Sequence, residues 1–241
     1  MGRFMNKGFT LIEVLIVLVV SGIIMTGIYS AFQTQQDSYL AQEQVAEMQQ
    51  NLRAGLYIMT KELRMAGYDG DNHTSHSSCN LYVPGTPGSA VAPGILAVTA
   101  TQLDFSIDLD GNGDCAGTGE NLSYYIYTAS DGVDKLGRRD NNDTSPVPQA
   151  VAESFEALEF VYLDSSQTAT TTLDDIRSIQ VSLLAKARNP DHKYLNNQTY
   201  IPASGVTWDL NGAAAGNGNP PNDNFRRRFQ TMTVKLRNVG L

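Results

Sequence analysis

Several residue types are scarce in this chain. Of its 241 residues only two are cysteine, three histidine and one tryptophan, and no proline occurs before Pro84. Cations are scarce too, with 17 Lys and Arg against 25 Asp and Glu and a formal charge of −8. A chain so acidic has no general affinity for nucleic acid. Its one basic run, Arg226-Arg227-Arg228, directly precedes a predicted strand and reads as a strand end or solvated turn rather than a DNA-binding patch. The usual catalytic signatures are missing: there is no nucleophile elbow, no phosphate loop and no H-E-x-x-H. His73, His76 and Cys79 lie close together but lack a fourth ligand and sit among Ser and Thr, so they read as solvated loop residues. His192 stands alone. The chain is not expected to be an enzyme.

Long apolar runs are absent as well, with one exception. After the basic start Met1 to Lys7, the residues Phe9 to Ile28 are almost unbroken in their apolarity and carry one charge, Glu13. As a helix this stretch covers about 30 Å, the hydrocarbon thickness of a bilayer. A lone carboxylate near the start of such a span is costly and needs a purpose or a partner. An ordinary secretory signal ends in a small-x-small site, and the nearest candidate, Tyr29-Ser30-Ala31, places a bulky residue where a small one is needed. A plain single-span anchor accounts for the apolar length, yet it leaves Lys7-Gly8-Phe9 with Glu13 unexplained.

Read residue by residue, that combination resembles the class III signal of type IV pilins and type II secretion pseudopilins. The resemblance implies that prepilin peptidase cuts between Gly8 and Phe9, that Phe9 becomes the N-methylated first residue, and that Glu13 is fifth in the mature chain. Cleavage would remove Arg3 and Lys7, taking the formal charge from −8 to −10. It would also create an amine on Phe9, four residues from Glu13 on one helix face. In the family the carboxylate meets the amine of a neighbouring subunit and aligns it in the filament. The residues leave both the internal and the intermolecular pair open.

Beyond the apolar run, Val45, Met48, Leu52, Leu56, Met59 and Leu63 recur at steps of three and four, one stripe of a helix. Gly67 and Gly70 supply a stop signal, so the spacing predicts one helix from Thr10 to about Ala66. Short alternating runs predict strands at 95–99, 102–107, 121–128, 155–163, 176–187 and 229–237. The polar stretch from Asn189 to Asn224, low in complexity from Gly212, reads as an exposed loop. The expected class is α+β: a long N-terminal helix, transmembrane in its first half and amphipathic in its second, packed on an antiparallel β-sheet. Its parts are a leader at 1–8, a transmembrane or filament-core helix at 9–31, an amphipathic continuation at 32–67 and a β-rich globular domain at 68–241. That is also the architecture of the pilin superfamily.

The strongest chemical motif is Asp108-Leu109-Asp110-Gly111-Asn112-Gly113-Asp114. Its first six residues fit the opening of an EF-hand loop, but position twelve is Gly119 and the nearby acid, Glu120, comes one residue later. Asp108, Asp110, Asn112, Asp114 and Glu120 are candidate ligands for a structural Ca²⁺. A polar turn built on Asp, Asn and Gly for its geometry alone fits the same residues. No cofactor is otherwise required. Cys79 and Cys115 lie 36 positions apart on loop-like sequence. If the anchor places them outside the cytoplasm a disulfide is expected, stabilising by about 3–4 kcal/mol in the chain-entropy model; two free thiols are the alternative.

Four segments, Glu62 to Tyr68, Leu136 to Asn141, Arg177 to Ala185 and Arg226 to Asn238, look like the PilW family of minor pilins. The resemblance implies a minor type IV pilin held by a single span in the bacterial inner membrane, its globular domain periplasmic, and later part of the filament. It would help prime assembly, with a place in a tip complex. Its implied partners are other minor pilins, the major pilin, prepilin peptidase, the inner-membrane assembly platform and, before assembly, membrane lipid. Two alternatives remain: a J-type pseudopilin of a type II secretion system, and a calcium-dependent pilus-associated adhesin.

Overall fold

The computed structural model describes residues 9–70, 79, 94–145, 147–211 and 219–239. The expected leader with Gly8, the residues His73 and His76, and the stretch 212–218 lie outside the described residues. Close contacts divide the chain into two units, Met1–Glu43 and Gln44–Leu241. One helix, α1 (Leu11–Leu63), contributes to both.

In the first unit all the described residues up to Leu40 are exposed, including the apolar side chains from Phe9 to Phe32. This part of α1 is long and apolar enough to cross a membrane, by length and composition. Its hydroxyls do not interrupt it: Thr26 Oγ1 donates to the Gly22 carbonyl at 2.9 Å and Thr34 Oγ1 to that of Ser30 at 3.0 Å. Each is thereby satisfied within the helix.

In the second unit the remainder of α1 buries Met48, Leu52, Gly55, Leu56, Met59 and Leu63, the stripe read from spacing with one glycine added and with Val45 only half-buried at its start. The glycine is needed: a Cβ on Gly55 would meet Leu136 Cδ2 at 2.9 Å. The last turn tightens, with Met65 N–H to the Glu62 carbonyl and Ala66 N–H to that of Leu63. This is why α1 ends at Leu63 rather than at Ala66. Gly67 then takes φ +77°, and its N–H reaches the Ser106 carbonyl at 3.0 Å, handing the chain to the sheet.

Among the described residues eight strands follow: β1 (Ile95–Val98), β2 (Gln102–Ser106), β3 (Asn121–Thr128), β4 (Asp134–Asp140), β5 (Gln149–Glu153), β6 (Phe155–Leu163), β7 (Ser178–Lys186) and β8 (Arg227–Lys235). They form two antiparallel sheets, in the orders β1-β2-β3-β4-β5 and β6-β7-β8. Leu52, Leu56 and Met59 of α1 share one core with Leu103, Phe105, Tyr124 and Leu136 of the first sheet and Phe160, Val181 and Leu183 of the second. The observed class is α+β, a long N-terminal helix with antiparallel sheets.

Three features depart from the sequence reading. β4 and β5 were not expected, because β4 reads Asp-Lys-Leu-Gly-Arg-Arg-Asp and has a single aliphatic residue. Leu136 fills the core, and Arg138, on the same face two residues on, meets an acid of α1 instead. β8 begins at Arg227, two residues before the expected Phe229, and β7 at Ser178 rather than Ile176, after a short 3₁₀ turn at Leu173–Asp175. Finally, the stretch from Asn189 is not simply exposed. Asn196 and Tyr200 are buried, Ala203 N–H donates to Ser182 Oγ at 3.0 Å, and Tyr200 and Trp208 pack against Phe229. Phe229 pairs across the ladder with Leu184, so β7 is covered on both faces. Its near-continuous apolarity follows.

Candidate functional site

The N-terminal determinants come first in the chain. Thr10 precedes α1 and its Oγ1 accepts the Glu13 N–H at 3.4 Å, while its carbonyl accepts the Val14 N–H at 3.3 Å. Thr10 is thus an N-cap, with Glu13 at the third helical position, the T-x-x-E spacing of a capping box. An acid in the first turn also complements the positive end of the helix dipole. The signal was present in Thr10-Leu11-Ile12-Glu13, and the sequence reading missed it. Phe9 is 83% exposed.

The Asp108 loop joins β2 to β3 and is closed from both ends. Ile107 N–H donates to the Glu120 carbonyl, and Asp108 N–H to that of Tyr68, each near 2.9 Å. The Asp108 carboxylate turns inward, accepting Gly111 N–H at 2.7 Å and Gly113 N–H at 3.0 Å. Glu120 accepts Leu109, Asp110 and Gly117 N–H groups at 2.9, 3.2 and 2.6 Å. Both acids are buried, at 0% and 1% exposure. Gly111 and Gly113 take φ of +72° and +84°, the left-handed turns that let the chain wrap so tightly.

Among the five candidate ligands, Asp108, Asp110 and Glu120 bring carboxylate oxygens within 4.8 Å of one another. The other two are engaged along the loop: Asn112 Oδ1 accepts Asp114 N–H at 2.8 Å, and Asp114 Oδ1 accepts Ala116 N–H at 2.9 Å. Three hard oxygens converging in a tight turn have the chemistry to hold Ca²⁺. The same oxygens also serve as acceptors for the loop's own amides. Cys115 is joined to Cys79 in a disulfide, and both are fully buried. Asn142 Nδ2 donates to the Cys115 and Gly117 carbonyls, each at 2.7 Å, and Gly119 N–H to Asp140 at 2.6 Å.

A second polar cluster ties α1 to the first sheet. Arg138 Nε lies 2.9 and 3.0 Å from the Glu62 carboxylate oxygens, and Tyr124 O–H donates to Glu62 at 2.5 Å. Burial, reinforced by the Glu62 charge, pushes the Tyr124 phenol well above its ordinary value, so it stays a neutral donor. The segments Glu62–Tyr68 and Leu136–Asn141 therefore meet in space. A third joins them, since Asn238 Nδ2 donates to the Arg64 carbonyl at 3.3 Å.

The basic run is largely occupied by acids. The Arg227 side chain is fully buried between Glu156 and Asp223, with Nη1 at 2.6 Å from Asp223 Oδ1 and Nη2 at 2.8 Å from Glu156 Oε1. Arg226 pairs with Asp191 at 2.8 Å and lies over the Tyr194 ring. Only Arg228 of the three is exposed.

Comparison with known proteins gives two family matches on this chain. Residues 3–29 match the prokaryotic N-terminal methylation motif, and residues 123–238 match the type IV pilus-assembly protein W family. A type IV-like pilin from Thermus thermophilus is structurally similar at a TM-score of 0.44 and 16% identity, over 80% of this chain and 97% of that one. No curated protein sequence matches.

Proposed function

For a chain that is type IV pilin-like at its N-terminus and PilW-like over its sheets, we propose the role of a minor type IV pilin that helps prime pilus assembly in a tip complex with other minor pilins. The observation carrying this reading is the presence of both signatures on one chain, the methylation motif at 3–29 and the PilW match at 123–238. In this role the protein is structural, not catalytic. Prepilin peptidase cuts between Gly8 and Phe9 and the new Phe9 amine is methylated. Before assembly the apolar half of α1 lies in the lipid of the inner membrane, with the sheet domain in the periplasm. Glu13 supplies the carboxylate that meets a subunit amine, a pairing worth most where water is scarce. The assembly platform then moves the helix into a filament shared with the major pilin.

The deciding experiment is intact-mass and N-terminal peptide mass spectrometry on the chain from its native membrane. The expected product begins at Phe9 and carries one added methyl. A chain that still begins at Met1, in cells with active prepilin peptidase, would leave a plain membrane anchor.

A second reading concerns the Asp108 loop, and the convergence of Asp108, Asp110 and Glu120 favours it. Here the loop binds a structural Ca²⁺, as a pilus-associated adhesin could use. Calorimetric titration with Ca²⁺ on wild type and on Asp110→Ala separates the cases: heat lost with Asp110 supports the ion, and absent heat leaves an amide-closed turn.

A further inference from the structure

A cleft of about 630 Å³ opens where the end of α1, the start of β7 and the end of β8 meet. Arg64, Arg177, Lys235 and Arg237 line it with four cations, and no described lining residue is acidic. Such a concentration is unexpected in a chain with a formal charge of −8. Several other cations of this domain have acidic partners: Arg138 has Glu62, Lys135 has Asp131 and Glu153, Lys186 has Glu156, and Arg226 has Asp191. In the cleft, among the described residues, Arg177 donates to the carbonyls of Asp174 and Ile176, at 2.7 and 2.9 Å. Among the described residues Arg64, Lys235 and Arg237 have no carboxylate at ion-pair distance. Four like charges gathered with no described carboxylate paired to them repel one another, and an anion placed among them would relieve that repulsion.

The frame beneath the cations is set before any ligand arrives. The Arg177 carbonyl accepts Leu236 N–H at 3.0 Å, Ser178 pairs with Lys235 in the ladder, and the Arg64 carbonyl accepts Asn238 Nδ2. Three elements are thus held together at the backbone while the charged ends of Arg64, Lys235 and Arg237 stay in solvent. Leu236 and Val239 add aliphatic wall between them.

We propose that this cleft binds an acidic peptide segment presented by a neighbouring subunit. That the partner is a subunit rests on the pilin-like reading; the binding itself does not. A guanidinium fork donates two parallel hydrogen bonds to one carboxylate, and the aliphatic wall suits the stems of Glu and Asp side chains. Nucleic acid fits the site less well. The described lining has no aromatic ring on which a base could stack.

The test uses the full chain in a zwitterionic detergent with fluorescein-labelled hexaglutamate, read by fluorescence anisotropy. Binding should saturate, and affinity should fall about tenfold in the Lys235→Gln/Arg237→Gln double variant. Arg64→Gln, on a different element, should weaken it in the same direction. Arg53→Gln, which removes an exposed cation of α1 outside the cleft, should leave it unchanged. Absent binding, an equal loss in the Arg53 variant, or short duplex DNA binding as tightly as the peptide would each overturn the proposal. A chain processed at Phe9 that ignores the peptide loses this site alone. One that binds the peptide but retains Met1 keeps the site and loses the subunit as its partner.

Discussion

Arg227 shows how far a single residue can be committed by its surroundings. Its side chain has no solvent exposure and is shared between Glu156 and Asp223, and a Lys186–Glu156 pair adjoins it. Removing the buried cation leaves Asp223 without its partner and Glu156 with Lys186 alone. Arg227→Gln should therefore lower stability by about 3 kcal/mol, measured by urea denaturation of the purified protein. The acids report on the same pairs through pH. Burial works to raise the Asp223 carboxyl, but the Arg227 and Phe225 hydrogen bonds and the Arg227 charge together hold it below its ordinary value. Hydrogen bonds from Arg226 and from the Lys193 backbone do the same for Asp191. A depressed native value means stability that is present above the unfolded carboxyl near pH 4 and lost as pH falls through the native one. Thermal melts from pH 6 downward should accordingly fall below about pH 4, with a shallower fall in Asp223→Asn.

At the scale of elements, what could be read in advance tracks how each element is stabilised. The α1 stripe and β3 and β6 were legible because apolar spacing alone defines them. β4 was not, since its only core aliphatic is Leu136 and its other inward residue, Arg138, is stabilised by Glu62, 76 residues upstream in another element. The coverage of β7 by Tyr200 and Trp208 was hidden for a related reason: a polar loop reveals its few anchors only in three dimensions. In the candidate site, the five oxygen-bearing residues were visible as a motif. The division that places Asp108, Asp110 and Glu120 together, with Asp114 turned to Ala116, depends on loop closure. The α1 stripe predicts its own energetics: Leu52→Ala, at 1% exposure, should cost about 2–5 kcal/mol. Tyr57→Ala, at 71% exposure one turn on, should stay within about 0.5 kcal/mol, and parallel thermal melts compare the two. At the helix end, Gly67→Ala meets both a left-handed φ and the Asn238 carbonyl oxygen at 3.1 Å from its new Cβ. It should cost about 1–2 kcal/mol or more, visible as a shifted denaturation midpoint.

For the whole molecule, the Cys79–Cys115 bond closes a loop spanning 36 residues. Replacing both by Ser should lower stability by about 3–4 kcal/mol in the chain-entropy model, and reduction of the wild type should lower the melting temperature in the same direction. The amide cradle around Asp108 and Glu120 remains in either case, so β2 and β3 should keep their pairing. The bond carries a further consequence, since such bonds persist only in oxidising compartments. On the proposed reading of an exported sheet domain, each molecule thereby keeps a chemical record of whether that domain has crossed the membrane. Trapping free thiols in living cells with a mass-shifting maleimide would count molecules awaiting transit and those that have completed it, in one gel lane.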